Sequence, residues 1–127
     1  MTRLAGLILA VLAFVSIPHT EDFTGKWSGS FVMTAPDGTE RPDRIVLNLT
    51  HKAQQLTGTA GPSEDQQWPL KGSVEGDKLT FDVSRDEMPI KFVLTFAEGH
   101  LKGEAQAEFQ GQKLSAKIDA QRVKTGF

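Results

Sequence analysis

The chain has 127 residues, which suits one domain with a single core. Its 14 basic and 16 acidic side chains give a net charge of −2, a balance that excludes the strongly basic surface typical of proteins that bind nucleic acid or anionic membranes. The sequence contains no cysteine, so disulfides, thiol chemistry and a lipid-bearing cysteine are all excluded.

The first segment predicts a secretory signal peptide. A single basic residue, Arg3, precedes an uncharged and mostly apolar run over 4–17, and Pro18 follows it. The run is shorter than the roughly 20 residues that a membrane-spanning helix needs. We expect removal of 1–20, with cleavage somewhere within 16–22, and a secreted or periplasmic mature chain without a membrane span. The alternative is a retained N-terminal helix or anchor.

From Phe23 onward the hydrophobic pattern has a period of two, which is typical of half-buried strands. Turn residues interrupt it every 8–15 positions, and no amphipathic helix is evident. The predicted strands are 25–34, 43–52, 55–60, 67–75, 78–84, 90–97, 100–108 and 112–122. An antiparallel meander of eight strands with one apolar face predicts an all-β domain over 23–124. An up-and-down barrel is its simplest closure, and a two-sheet sandwich is the alternative.

A short pattern, Leu-x-Gly-x-(Ala/Val), occurs at 56–60, 70–74 and 101–105. Its Leu, Gly and Ala or Val share the inward face of a strand, where glycine marks a bend or a close approach of another backbone. Small residues on an inner wall also leave volume. The barrel can therefore be packed shut, or it can hold one small ligand.

The two ends of the barrel segment resemble the lipocalins and their calycin relatives. The first strand opens with Gly25-Lys-Trp27, and Arg122 lies near the end of the last strand, which is its neighbour in a closed barrel. In that family a Gly-x-Trp opening and a late arginine close the base of the barrel. The resemblance therefore implies a lipocalin-like meander, with Gly25, Trp27 and Arg122 closing the base by stacking of the guanidinium on the indole. The short hairpins are most similar to small secreted bacterial members.

Two observations limit what this resemblance implies. The lipocalin disulfide is absent, because there is no cysteine. Avidins also begin with a similar strand, but their pocket depends on several tryptophans, whereas this chain has only Trp27 and Trp68. The resemblance therefore implies a fold more firmly than a ligand.

The predicted loops place a candidate site at the opposite end from Trp27. Three longer loops, 35–43, 61–69 and 84–89, gather there and form a mouth. Trp68 can stack on an apolar ligand or cover the core, and Arg85 can bind an anionic head or pair with a neighbouring acid. Arg44 and Met88 also belong to this end. The candidate lumen and mouth residues are Phe31, Met33, Trp68, Phe81, Arg85, Phe92, Phe96 and Phe109.

No motif predicts catalysis, a metal or a cofactor. The three histidines, His19, His51 and His100, lack metal-ligand spacing, and no nucleophile elbow or phosphate loop is present. We expect a non-enzymatic barrel that binds a small apolar or amphipathic ligand in its lumen. One alternative is a protein-interaction or inhibitor module with a packed lumen that acts through the three loops. The other is a calycin-like enzyme that uses His51, Arg85 or Arg122.

Overall fold

The chain folds as an eight-stranded antiparallel barrel in a computed structural model that describes residues 22–86 and 88–123. The predicted all-β class is confirmed, and no helix occurs among these residues. The predicted signal peptide, 1–20, lies outside them. The strands are β1 (Gly25–Thr34), β2 (Glu40–Lys52), β3 (Gln55–Ser63), β4 (Gln66–Glu75), β5 (Lys78–Arg85), β6 (Met88–Ala97), β7 (His100–Phe109) and β8 (Gln112–Arg122).

Consecutive strands pair along the whole meander, and β1 pairs with β8 to close the barrel. The closing register runs from Trp27 opposite Arg122 to Thr34 opposite Ser115. Closure leaves no free sheet edge at this seam, which removes the main aggregation hazard of an open sheet. The predicted up-and-down barrel is therefore confirmed, and the alternative, a two-sheet sandwich, is wrong. Within the described residues, no helix has the length and hydrophobicity of a membrane-crossing segment.

The strands extend further toward the mouth than their hydrophobic pattern predicts. β2 begins at Glu40 instead of 43, and β3 and β4 continue to Ser63 and Gln66. The predicted loops 35–43 and 61–69 therefore shrink to 35–39 and 64–65, and only two residues separate β5 from β6. The added residues are largely polar and exposed, so alternation does not mark them. Backbone pairing with a neighbouring strand holds them in extended conformation.

The inward face forms one continuous core. Its fully buried large side chains within the strands share the inward parity of their strands, and Phe23, which precedes β1, adds to them. No polar or charged side chain among the described residues is buried. Small residues of the wall allow the strands to approach one another closely. A Cβ atom at Gly58, Gly72 or Gly103 would overlap a carbonyl oxygen of the adjacent strand. The glycines of the repeated pattern are thus sites of close backbone approach, as their strand positions suggest.

The β3–β4 hairpin curls over the outside of the barrel. The β3–β4 register shifts between Ala60 and Ser63, which marks a bulge that bends the hairpin. Gln67 then donates to the carbonyl oxygen of Val46 on β2 at 3.2 Å and accepts from the Asn48 amide at 3.1 Å. This cover explains why Val46, on the outward face, is only 5% exposed.

Candidate ligand site at the barrel mouth

The base of the barrel is closed by aromatic packing and an arginine. The Arg122 guanidinium lies 4.5 Å from the centroid of the Trp27 ring, and the same guanidinium donates to the carbonyl oxygens of Asp22 and Thr24, each at 2.8 Å. Gly25 has a φ of 136°, and a Cβ there would lie 3.1 Å from an Arg122 nitrogen. The structure thus brings together the three residues for which the family resemblance implies base closure.

Phe23, which precedes the first strand, completes the base. Its ring is fully buried, and its carbonyl oxygen accepts from the Trp27 indole nitrogen at 3.0 Å. His51 stacks on the Phe23 ring with centroids 5.5 Å apart, and His51 Nδ1 accepts from the Phe23 amide. Because His51 Nε2 lies 2.9 Å from the Ala53 carbonyl, this geometry assigns the proton to Nε2. His51 therefore supports the packing and hydrogen bonding of the base.

The Asp22 carboxylate fastens the start of this segment. It accepts from the Thr24 backbone N–H at 3.0 Å, and this hydrogen bond holds the pKa of the Asp22 carboxyl below its ordinary value. The chain is therefore held over the base by short-range hydrogen bonds as well as by Arg122.

Two predicted lumen residues lie away from the mouth. Phe96 packs edge-on against Phe23 and Trp27, with ring centroids 5.4 and 6.1 Å away, so it belongs to the base. Phe81 is fully buried and stacks on Phe92 at 4.8 Å in the middle of the barrel. Their inward parity is correct, but parity does not give the height of a residue along the barrel axis. Neither residue lines the mouth.

At the mouth, Trp68 and Arg85 meet where two strands separate. The β4–β5 register ends at Leu70 opposite Val83, and continuing it would place Trp68 opposite Arg85. Pro69 lies between, and proline has no N–H to continue the ladder. The Arg85 guanidinium instead lies 4.5 Å from the centroid of the Trp68 ring. The mouth thus has a tryptophan–arginine pair of the same kind as the base.

Two cavities, each of about 90 Å³, open on either side of Arg85. The first, which we call the polar lobe, is lined by Phe31, Asp43, Arg44, Ile45, Ala60, Gly61, Pro62, Trp68, Val83, Arg85, Ile90 and Phe92. The second, the apolar lobe, is lined by Phe31, Met33, Arg85, Met88, Ile90, Ala105, Gln106, Ala107, Leu114, Ser115 and Ala116. Phe31, Arg85 and Ile90 form the wall between them. Each lobe is smaller than the roughly 300–1,000 Å³ of an ordinary small-molecule site.

Stacking on Trp68 does not use the N–H donors of the Arg85 guanidinium. Its face is used by Trp68, whereas its edge carries the N–H donors that match a carboxylate or phosphate. Among the described residues no ion pair involves Arg85. Asp43 and Arg44 also line the polar lobe, and the Asp43 carboxylate accepts from the Arg44 backbone N–H at 2.8 Å. The alternative in which Arg85 pairs with Asp43, Asp86 or Glu87 is therefore not found for Asp43 and Asp86, and Glu87 lies outside the described residues.

The sequence located part of this site. Phe31, Met33, Trp68, Arg85 and Phe92 line one or both lobes, as do Arg44 and Met88. The side chain of Phe109, also predicted, lies outside the described part of the structure. Sequence reasoning missed the lining residues Asp43, Ile45, Ala60, Ile90, Ala107 and Leu114 as site residues. Parity places them inward, but only the strand register brings them to the mouth.

Other polar clusters of the described residues are on the outer wall. His100 Nδ1 lies 2.6 Å from an Asp119 carboxylate oxygen, and His100 Nε2 lies 2.8 Å from the Gln121 amide nitrogen. No group of three or more histidine or acidic side chains in the described ranges could hold a metal ion.

Comparison with known proteins adds a structural likeness of low similarity. No protein family matches the sequence, and no curated protein matches it. A solved structure from Nostoc punctiforme, a protein of unknown function from the DUF3598 family, is 15% identical and aligns with a TM-score of 0.47. The alignment covers 84% of this chain and 50% of that chain, so this chain spans about half the length of that protein.

Proposed function

We propose that this chain is a secreted or periplasmic, lipocalin-like barrel without catalytic activity, which binds a small amphipathic molecule at its mouth. The apolar N-terminal sequence supports export, and the Trp27–Arg122 closure supports the family likeness. The observation that carries the binding proposal is Arg85, a guanidinium whose face is stacked on Trp68 and which lines both mouth lobes.

The chemistry of the two lobes defines the class of ligand. An anionic head, such as a carboxylate, fits the N–H edge of Arg85, which lines the polar lobe. The apolar body of the ligand then lies among Met33, Met88 and Leu114. These three side chains line the apolar lobe and are only partly buried, so contact with a ligand would cover them further. Burial of such a body supplies affinity, and the arginine sets its orientation.

Octanoate is the simplest probe of this chemistry, since it joins one carboxylate to a short alkyl chain. We expect titration calorimetry to detect binding to the wild-type protein and Arg85→Gln to weaken it about tenfold or more, in the range of a charged hydrogen bond. Arg41→Gln, an exposed change on β2 outside both lobes, is the matched control and leaves the affinity unchanged. Equal affinity of the wild type and Arg85→Gln would contradict the proposed site.

A second variant separates the apolar body from the head. Ala107→Leu adds three carbon atoms at the wall of the apolar lobe and should abolish octanoate binding while leaving the barrel folded. Thermal unfolding provides the control for folding, because a filled cavity raises or preserves stability, whereas a strained one lowers it. Retained octanoate binding by this variant would place the alkyl chain elsewhere.

The alternative function, a protein-interaction module with a packed lumen, is favoured by one observation. Each lobe is only about 90 Å³, and most of the barrel below them is filled by buried side chains. The loops 35–39 and 64–65 would then carry the contact together with the rim of the mouth. Absence of octanoate binding, together with no bound small molecule in native mass spectra of protein purified from its own cells, would favour this alternative.

A further inference from the structure

Backbone pairing between β6 and β7 stops short of the mouth. Among the described residues, the β6–β7 register ends at Lys91 opposite Gln106. On either side the outer pairings continue, since β5–β6 runs on to Met88 and β7–β8 to Phe109. Continuing the β6–β7 register would place Ile90 opposite Ala107, and Pro89 opposite Glu108. Beyond Lys91 and Gln106 the two strands therefore have no registered pairing with each other, and Pro89 has no N–H with which to extend the ladder. We call this unpaired stretch the β6–β7 gap.

The cavities on the two sides of the wall meet at this gap. On the outside lies an open groove of about 900 Å³, lined by Asp82, Ser84, Pro89, Lys91, Gln106, Ala107, Glu108, Lys113, Leu114 and Ser115. Four of these residues, Gln106, Ala107, Leu114 and Ser115, also line the apolar lobe. A residue that lines both an inner and an outer cavity stands in the wall between them.

We propose that the β6–β7 gap is a lateral portal, through which the alkyl tail of an elongated amphiphile passes from the apolar lobe into the outer groove. This inference rests on the proposed function and names its ligand class more narrowly, as a long-chain carboxylate. The head stays at Arg85, where the polar lobe begins. The tail cannot lie wholly inside, because the apolar lobe holds only about 90 Å³.

The outer groove suits a tail that is half-covered. Pro89, Ala107 and Leu114 contribute apolar lining, and Lys91 and Lys113, which also line the groove, carry alkyl stems that can cover a tail. A fully buried CH₂ group raises affinity roughly fourfold, and a half-covered group raises it roughly twofold. Affinity should therefore keep rising for chains longer than the inner lobe can hold.

Chain-length dependence tests this portal directly. Titration calorimetry with octanoate and dodecanoate, both below their micelle concentrations, compares two carboxylates that differ by four CH₂ groups. We expect dodecanoate to bind at least about tenfold more tightly to the wild-type protein, from the roughly twofold gain per half-covered CH₂. Equal affinities for the two carboxylates would overturn the portal.

Ser84→Trp blocks the groove from outside without touching the lumen, because Ser84 is exposed and lines only the outer groove. It should remove the extra affinity for dodecanoate and leave octanoate unchanged. The matched control is Ser73→Trp, an exposed outward serine on β4 that lines none of the three cavities. An unchanged preference for dodecanoate in Ser84→Trp would overturn the portal.

A crosslink provides the second variant, since the chain has no cysteine of its own. Oxidised P89C/E108C closes the gap, whereas V93C/E104C joins the same two strands where they are already paired. Loss of the dodecanoate gain only in oxidised P89C/E108C supports the portal, as does failure of this pair to oxidise when the control pair does. If octanoate and dodecanoate both fail to bind, the proposed function fails as well. If both bind through Arg85 with equal affinity, only the portal fails.

Discussion

Single glycine residues decide how closely neighbouring strands of this barrel can approach each other. Gly72 belongs to the repeated Leu-x-Gly-x-(Ala/Val) pattern, and its Cα faces the backbone of β5 at Thr80 and Phe81. A Cβ at this position would overlap the Thr80 carbonyl oxygen, which belongs to a rigid paired strand and cannot move aside. The glycine is therefore required by packing and not by its backbone dihedral.

This difference can be measured with two alanine substitutions. We expect Gly72→Ala to lower the free energy of unfolding by about 3 kcal/mol, as an overpacked site does. Gly76→Ala lies in a turn with a φ of 63° and nothing within 4 Å of the new Cβ, so it should cost only about 1 kcal/mol of backbone strain. Urea denaturation of both variants checks the order. Equal losses would show that the wall at Gly72 can relax.

Each of the two tryptophans stacks with an arginine, one at the base of the barrel and the other at the mouth. Arg122 stacks on Trp27 at the base, and Arg85 stacks on Trp68 at the mouth, each guanidinium 4.5 Å from the ring centroid. Their surroundings differ. Arg122 donates to two backbone carbonyl oxygens that cover the base, whereas Arg85 has no ion pair among the described residues and lines two cavities. One pair therefore closes the base, and the other lines the cavities where we propose that a ligand binds.

At the scale of elements, the β3–β4 hairpin is held against the outer wall by side-chain contacts as well as by backbone pairing. The β3–β4 hairpin folds over β2 through a bulge and through the side chain of Gln67. This amide contacts Asn48, the Val46 carbonyl and the Ser63 carbonyl, so one polar side chain ties the hairpin to the outer wall. The Lys26–Glu64 ion pair at 2.8 Å is more exposed and contributes little by comparison.

Gln67→Ala should therefore destabilise the protein by about 1–2 kcal/mol, because it removes hydrogen bonds from partly buried partners. The neighbouring Gln66 is exposed, and Gln66→Ala is expected to change stability by less than about 0.5 kcal/mol. Chemical denaturation of the two single variants provides the comparison. If both variants have wild-type stability, the hairpin is held by its bulge alone.

The whole molecule is closed and tightly packed at its base and open at its mouth. Phe23, Trp27 and Phe96 fill the base, and closure of β1 on β8 joins the first and last strands there. Toward the mouth, pairing stops early between β4 and β5 and between β6 and β7. Prolines 69 and 89 stand at these two positions, where a missing N–H ends a ladder. Local stability should therefore fall from base to mouth.

Hydrogen exchange of the ligand-free protein measures this gradient. We expect peptides that cover 88–91 and 106–109 to exchange faster than those that cover 92–97 and 100–105 on the same two strands, because backbone pairing between β6 and β7 ends at Lys91 and Gln106. Uniform protection along both strands would contradict an open gap, whether or not any ligand binds.

The sequence by itself determines much of this architecture, but it does not determine how far along the barrel axis each site residue lies. Alternation from Phe23 onward predicts the strands and their inward faces, because a period of two is a local property of each strand. The short turns between the strands predict their antiparallel order. The sequence also predicts that Trp27 and Arg122 become neighbours, since closing a meander brings the first strand beside the last. Phe23 itself was missed, because it lies before the first strand and belongs to no alternating run.

Only the tertiary structure decides where each inward residue lies along the barrel axis. Phe96 and Phe31 have the same parity, yet one fills the base and the other separates the two lobes of the mouth. The polar ends of β2, β3 and β4 are extended only because a neighbouring strand pairs with them. Height, pairing length and the β6–β7 gap all depend on register between strands, a relation of distant segments that no local pattern encodes.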